Sequence, residues 1–404
     1  MSESVAKPIG SRIADSPRAP MISRVERMQR VAAARSDVLS FAGGLPDPAV
    51  FPRTALTRAF LRAIAHSGAP ALQYGWPEGR PALREYIANR LRARGCNVRA
   101  DDVLVTSGAQ QAIAIAAQLI FRRSKTVLLD AETYAGALEL FRSRGLDITL
   151  DAHRASGAYV MPQIGNPRGQ TMDRAVRGQL VQHAKRGDLM LIEDDAYADI
   201  MFAGEPGKPL LADVPDATFH VGTFSKSLCP GLRVGWLVAP RRFREPALEV
   251  KRESDLQANS LAQSILEEFF AHDDFDARIV KARRLYRRRA TRLAGALRRH
   301  LPSWNFHEPQ GGFSIWVDTG RAGDDMAFLR WAVACGTSFD PGCLFRVGEG
   351  STLGVRLSYS CVAERSIDEG VKRLATAWTS SSSVAGSYRT KKEERPDCTR
   401  VPPG

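Results

Sequence analysis

Between residues 103 and 240 the chain repeats one pattern: a short, continuous apolar run, a polar or glycine-bearing end, and then a helical or polar stretch. The runs are "DDVLVTSG", "KTVLLDAETY", "GAYVMPQIGNP", "DLMLIEDDAY", "ATFHVGTFSK" and "RVGWLVAP". "AQQAIAIAAQLIF", between the first two, reads as a helix with a wholly apolar face. Strands that are apolar throughout, with no alternation, belong to a sheet covered on both faces, which is mostly parallel. The expectation is an α/β large domain over residues 45–245. Ligands of such sheets bind at the carboxyl ends of the strands. Here those ends carry Ser107 and Gly108, residues 130–134, Asn166 and Pro167, residues 194–197, and Ser225 and Lys226.

Beyond 245 a helical stretch leads to "GGFSIWVDT" and "GVRLSYS", then to the helix "IDEGVKRLATAW". These predict a smaller α/β domain over 246–378, with 21–44 as its N-terminal helix or arm. Residues 1–20 read as irregular. The Ser-rich, charged and Pro-ended segment 379–404 reads as disordered.

The formal charge of +13 raises the question of nucleic acid. Arginine is densest in "KARRLYRRRATRLAGALRRH", where Leu285, Leu293 and Leu297 recur at helical spacing. That pattern assigns the arginines to a solvated helix face, so no nucleic-acid partner is expected. The six cysteines form no CxxC pair and have no histidine cluster beside them, so neither a metal site nor a disulfide framework is expected. No apolar run reaches membrane-spanning length and no secretory pattern opens the chain, so a cytoplasmic protein without a membrane partner is expected.

The chemistry centres on "GTFSKSLCPGLRVGW". Lys226 stands between Ser225 and Ser227, three residues after Thr223 and seven before Arg233. Those hydroxyls and that guanidinium suit a phosphate. Ser107, with Gly108 and Ala109 at a helix N-terminus, offers backbone N–H groups to the same anion. Alone, a Ser-Gly turn only connects elements. In "EDDAY", Asp194 suits a pyridinium nitrogen and Tyr197 a phenolic oxygen, although the stretch also reads as a helix cap. Asn166, in the turn "GNPRG", offers an amide to that oxygen. A lysine beside an anion site and an arginine can lose its proton and attack an aldehyde. Together these needs describe pyridoxal 5′-phosphate (PLP).

The chain resembles the fold-type I PLP enzymes, and within them the class I/II aminotransferases of the 2-aminoadipate aminotransferase-like branch. The likeness covers about residues 20–378. It rests on "SFAGGLPDPAVFP", "LQYGWPEGRPALREYIANRL", "TSGAQQAI", "DAETYAGAL", "GNPRG", "EDDAY", "GTFSKSLCPGLRVGW", "PQGGFSIWV" and "GVRLSYS". It implies a large domain with a mostly parallel seven-stranded sheet and a smaller α/β C-terminal domain.

It also implies roles. Lys226 resembles the lysine that bonds to the cofactor aldehyde and later moves the substrate Cα proton. Asp194 matches the partner of the pyridine nitrogen. Tyr197 and Asn166 match the pair at the ring oxygen, and Tyr134 the aromatic residue stacked on the ring. Ser107, Gly108, Ala109, Thr223, Ser225 and Arg233 resemble the phosphate cup. Tyr74 resembles a tyrosine lent to the neighbouring subunit's phosphate, which implies a homodimer. Arg356 matches the arginine that holds the substrate α-carboxylate. Gly44, with Asn166, closes on that carboxylate.

Two residues depart from the family pattern. Arg168 stands where threonine is usual, and Ala135 follows Tyr134 where a bulkier residue or proline is common. Arg24, Arg27 and Arg168 could each meet a distal carboxylate of an acidic substrate; each also reads as a surface arginine. The implied reaction moves an amino group from an L-amino acid to a 2-oxo acid, with 2-oxoglutarate the usual acceptor, by ping-pong chemistry. Another outcome on the same cofactor (elimination, decarboxylation, cyclisation or oxidation) shares these motifs. Arg356 argues against simple decarboxylation, because it would hold the carboxylate in place. A regulator with an aminotransferase-like sensing domain needs a DNA-binding domain, and the roughly 40 residues before "SFAGG" lead us to expect an enzyme instead.

Overall fold

The computed structural model describes residues 21–348 and 350–387. The chain enters as a helix, Met21–Ala33, followed by strand β1 (Leu39–Ser40). The seven strands of the large sheet follow: β2 (Val103–Thr106), β3 (Thr126–Leu128), β4 (Asp147–Thr149), β5 (Gly157–Val160), β6 (Met190–Asp194), β7 (Thr218–Thr223) and β8 (Gly235–Val238). Their spatial order is β2-β8-β7-β6-β5-β3-β4. Strand β8 runs antiparallel to both its neighbours and every other pairing is parallel. Strands β2, β5 and β7 are buried at every position, as continuous apolar runs require. β4 was not among the expected strands; its three residues sit at the sheet edge and are only partly covered.

The remaining strands are β9 (Asn305–Phe306), β10 (Ser314–Asp318), β11 (Thr337–Ser338), β12 (Asp340–Pro341) and β13 (Gly354–Ser358). β12-β13-β10-β9 form an antiparallel sheet, and β1 pairs in parallel with β11. Helix ends carry local signals. Asp173, Asn259, Asp274 and Asp324 each accept backbone N–H groups at the start of a helix.

Packing adds three findings. Residue 245, the expected end of the large domain, lies in the helix Arg244–Asp255. In the next helix, Ser260–His272, Leu266 and Phe269 share a core with Leu83, Val105 and Phe224. The arginine-rich helix Phe275–His300 is also not solvated on every arginine. Arg289 is buried, donates to Ser360 O, and pairs with Asp47 Oδ2 at 2.6 Å. Tyr286 is fully buried there, whereas Leu285 is only half-buried. Finally, the helix Ile367–Ser387 runs past Trp378 into the segment read as disordered. Arg321 lies 3.4 Å over the Trp378 ring and donates to Ser381 Oγ at 2.7 Å, which holds that turn. The disorder expected for 1–20 and for 388–404 concerns residues outside those described. Among the described residues no helix is long and apolar enough to cross a membrane.

Candidate active site

The carboxyl ends of β5, β6 and β7 open on one cavity. Its lining includes Ala109, Tyr134, Asn166, Asp194, Tyr197, Thr223, Ser225, Lys226 and Arg233. The two-faced burial of the strands leaves their ends as the place where polar side chains meet a cavity.

Lys226 closely follows β7. Its Nζ donates to Gly44 O at 2.9 Å and lies 5.5 Å from the Tyr197 ring centroid. Burial brings this ammonium down to about 8 from an ordinary 10.5; the Arg356 and Arg233 charges add to the effect and Asp194 opposes it. The lysine is thus partly neutral near physiological pH, as a nucleophile or base must be.

Asp194 ends β6 and is 3% exposed. Its Oδ2 accepts the Tyr159 phenol at 2.6 Å, and its Oδ1 accepts the Ala196 N–H at 3.1 Å. Burial pushes its pKa up, against both hydrogen bonds. Burial likewise raises the phenols of Tyr134 and Tyr197 to about 12, so both are donors at neutral pH.

The anion cup lies where β2 meets the helix Ala109–Ile120. Gly108 adopts φ 88° and caps that helix. A Cβ at Gly108 would stand 2.6 Å from Arg233 Nη2, so the guanidinium occupies the space a side chain would take. Arg233 itself takes φ 53°, which costs a non-glycine residue on the order of 1 kcal/mol. Its Nη2 donates to Ser107 O at 3.2 Å. Thr223 Oγ1 donates to Ser225 Oγ at 2.9 Å and accepts the Ser225 N–H at 3.1 Å. The Ser107 hydroxyl turns outward instead: it donates to Asp255 Oδ2 at 2.7 Å, and Asp255 also holds the fully buried Lys251 at 2.6 Å.

Arg356, on β13, is 6% exposed and donates through Nη1 to Asn166 Oδ1 at 2.9 Å. Gly44 faces it, since a Cβ there would lie 3.4 Å from the Tyr197 hydroxyl and 3.6 Å from Arg356 Nη1. Tyr74 is not brought to this cavity; it is 77% exposed. Arg168 pairs with Glu132, Nε to Oε2 at 2.9 Å, and is not among the residues that line this cavity. Arg27 is exposed on the first helix, and the Arg24 side chain lies outside the described residues.

With this geometry in hand, a family model for "Aminotransferase class I and II" matches residues 37–374. The chain belongs to this family. It is a PLP-dependent aminotransferase of the fold-type I architecture. The aminotransferase is 32% identical over 366 residues to a 2-aminoadipate transaminase of Thermus thermophilus, spanning 85% of this chain and 90% of the relative. It is 30% identical over 365 residues to aromatic-amino-acid aminotransferase 1 of Thermococcus litoralis, spanning 84% and 88%. Its fold matches the crystal structure of an alpha-aminoadipate aminotransferase from Thermus thermophilus with a TM-score of 0.80 and 27% identity, over 94% and 98% of the two chains.

The residues of the aminotransferase fit that cofactor. The cup around Gly108 and Arg233 gathers N–H, hydroxyl and guanidinium donors for a phosphate. Asp194 is a buried carboxylate in the wall that holds Lys226, and the lysine is deprotonated readily. Sequence reasoning missed two residues here. Tyr159 lies within a quoted strand, where a phenol in an apolar run needs a buried acceptor. Asp340, beside Arg356, carried no signal beyond a turn-like Asp-Pro-Gly.

Proposed function

We propose that this aminotransferase moves the amino group of an L-amino acid to a 2-oxo acid, with 2-oxoglutarate as acceptor, in two half-reactions that alternate in one site. The observation that carries the reading is a buried lysine and a buried aspartate lining one cavity, with Arg356 donating to Asn166 in the same lining. PLP supplies the electron sink that makes the substrate Cα proton acidic.

The chain's own residues do the rest. Arg356 and Asn166 hold the α-carboxylate, with Gly44 close behind it. Holding the α-carboxylate restricts the substrate beside Lys226, a gain of orientation. Neutral Lys226 takes the proton as general base and returns it as general acid. Asp194, whose charge the Tyr159 phenol and the Ala196 N–H favour against burial, would offset positive charge on the ring nitrogen. Tyr197 and Asn166 would hold the ring oxygen, and Tyr134 would supply an aromatic wall of the same cavity. Ala109, Thr223, Ser225 and Arg233 would anchor the phosphate; Ser107 and Gly108 shape the turn behind it, their N–H groups held by Gln111 Oε1 and Thr106 O.

A homodimer completes this reading. Leu72, Tyr74 and Trp76 are 68%, 77% and 79% exposed on one short segment, an apolar surface that a second copy would cover. Tyr74 then reaches the other copy's phosphate cup. The named activities of the relatives point to acidic or aromatic amino acids as donors.

The test is an absorbance titration of the purified enzyme with single L-amino acids and no acceptor. The reading expects loss of the visible band without release of ammonia or CO₂, and its return on adding 2-oxoglutarate. Ammonia or CO₂ in stoichiometric amounts would move the assignment to an elimination or decarboxylation.

A further inference from the structure

Asp340 has no part in the site as read from the sequence, yet it is a node of the geometry. β12 pairs with β13 so that Asp340 lies opposite Arg356. Asp340 is 3% exposed. Its Oδ2 accepts Arg356 Nε at 3.0 Å, Arg356 Nη2 at 2.5 Å and the Gly43 N–H at 2.8 Å. Its Oδ1 accepts the Gln29 amide of the first helix. The Phe345 ring covers the guanidinium, with Cζ 4.5 Å from the ring centroid.

A guanidinium has five N–H donors in one plane. Asp340 takes two along the Nε–Nη2 edge and Asn166 takes one from Nη1. One N–H remains on each terminal nitrogen, which together form an end-on fork. Gly44 faces that fork: a Cβ there would lie 3.6 Å from Nη1 and 3.7 Å from Nη2. A buried arginine without a counter-charge is strongly unfavourable, and Asp340 supplies the charge without occupying the fork.

We infer that Asp340 is a positioning residue: it grips Arg356 by its side edge, leaves the end-on fork free for a substrate carboxylate, and offsets the arginine's charge beside Lys226. The inference rests on the proposed role of Arg356. Through Gln29 and Gly43 the same carboxylate ties the segment 21–44 to the arginine, which places Gly44 over the fork. The charges acting on Lys226 are Arg356, Arg233 and Asp194, while Asp340 acts on the neighbouring Tyr197. Removing the Asp340 carboxylate, which pairs with Arg356 at 2.5 Å, leaves the Arg356 charge beside Lys226 without its counter-charge.

The test compares wild type, Asp340→Asn and Asp340→Ala as cofactor-loaded enzymes. Asparagine keeps one oxygen for Nε and Nη2 and removes the charge. Expected for Asp340→Asn is a fall of about 0.5–1 unit in the pH midpoint of the visible absorbance of the lysine-held cofactor. Its KM for L-glutamate should stay within about threefold of wild type, while Asp340→Ala, with no acceptor, should raise that KM at least about tenfold and keep the visible band. An Asp340→Asn midpoint equal to wild type, or an Asp340→Ala KM equal to wild type, overturns the inference. A wild-type protein without the visible band overturns the cofactor reading and this inference with it, so the wild-type control separates the two failures.

Discussion

The phenol of Tyr159 donates to Asp194 Oδ2 over 2.6 Å, and both residues are sealed from solvent. A buried carboxylate drifts toward its neutral form unless donors stabilise the charge. Tyr159 is one of two donors that do so. The Tyr159→Phe enzyme should fold, since one hydroxyl is lost from a fully packed ring. Its Asp194 should titrate higher. A carboxylate with a raised pKa is ionised only above that pKa, so the acidic limb of kcat/KM moves to higher pH. The expected drop in kcat is at least about tenfold, from a lost charge-assisted hydrogen bond of roughly 1.5–3 kcal/mol. A pH–rate profile that overlays wild type would remove Tyr159 from this account.

Lys226 should react as an amine with its pKa near 8. Burial depresses that value, so the neutral amine accumulates as pH rises through about 8. The rate at which cofactor-free protein captures PLP should rise with pH and level off above that point. Stopped-flow absorbance checks this. A midpoint near 10.5 would mean that the lysine is solvated and its neighbours do not act on it.

Gly108→Ala places a methyl group 2.6 Å from Arg233 Nη2, at φ 88°. The guanidinium must move, so the proposed phosphate cup loses its only charged donor. PLP affinity should fall at least about tenfold, as for loss of one charge-assisted hydrogen bond. Equilibrium dialysis measures it. The fold should persist, because the helix Ala109–Ile120 keeps its buried face.

Asp47 and Arg289 form a pair whose side chains are 12% and 10% exposed. The Asp47 N–H also donates to the Tyr286 hydroxyl at 3.0 Å. Asp47→Ala leaves Arg289 buried without its carboxylate, so thermal or urea unfolding should show a loss of about 3–5 kcal/mol. Arg289→Met with Asp47→Ala should recover much of that loss. A double variant no better than the single one would show that the pair contributes packing alone.

What is legible in the sequence follows from where the physics is local. Continuous apolar runs announce a covered sheet, and their polar ends announce a cavity, so Asp194, Asn166 and Lys226 can be named from the order of residues alone. The partners of these residues cannot. Tyr159 and Asp194 sit on adjacent strands that are distant in sequence. Asp340 meets Arg356 only because a two-residue strand pairs in one register. Arg289 looks like a surface arginine until the turn at Asp47 packs on its helix. The helix Ser260–His272 has an apolar face with no sign of which domain it will join. Tyr74 and its neighbours are exposed in one chain, and the role proposed for them needs a second copy.

The most direct test of the central claim is to trap the cofactor on the protein. The enzyme is loaded with PLP, reduced with borohydride, digested and mapped by mass spectrometry. The account expects one modified lysine, Lys226, and no modification in Lys226→Ala. A cofactor mass on any other lysine of the wild-type protein, or none at all, would contradict it.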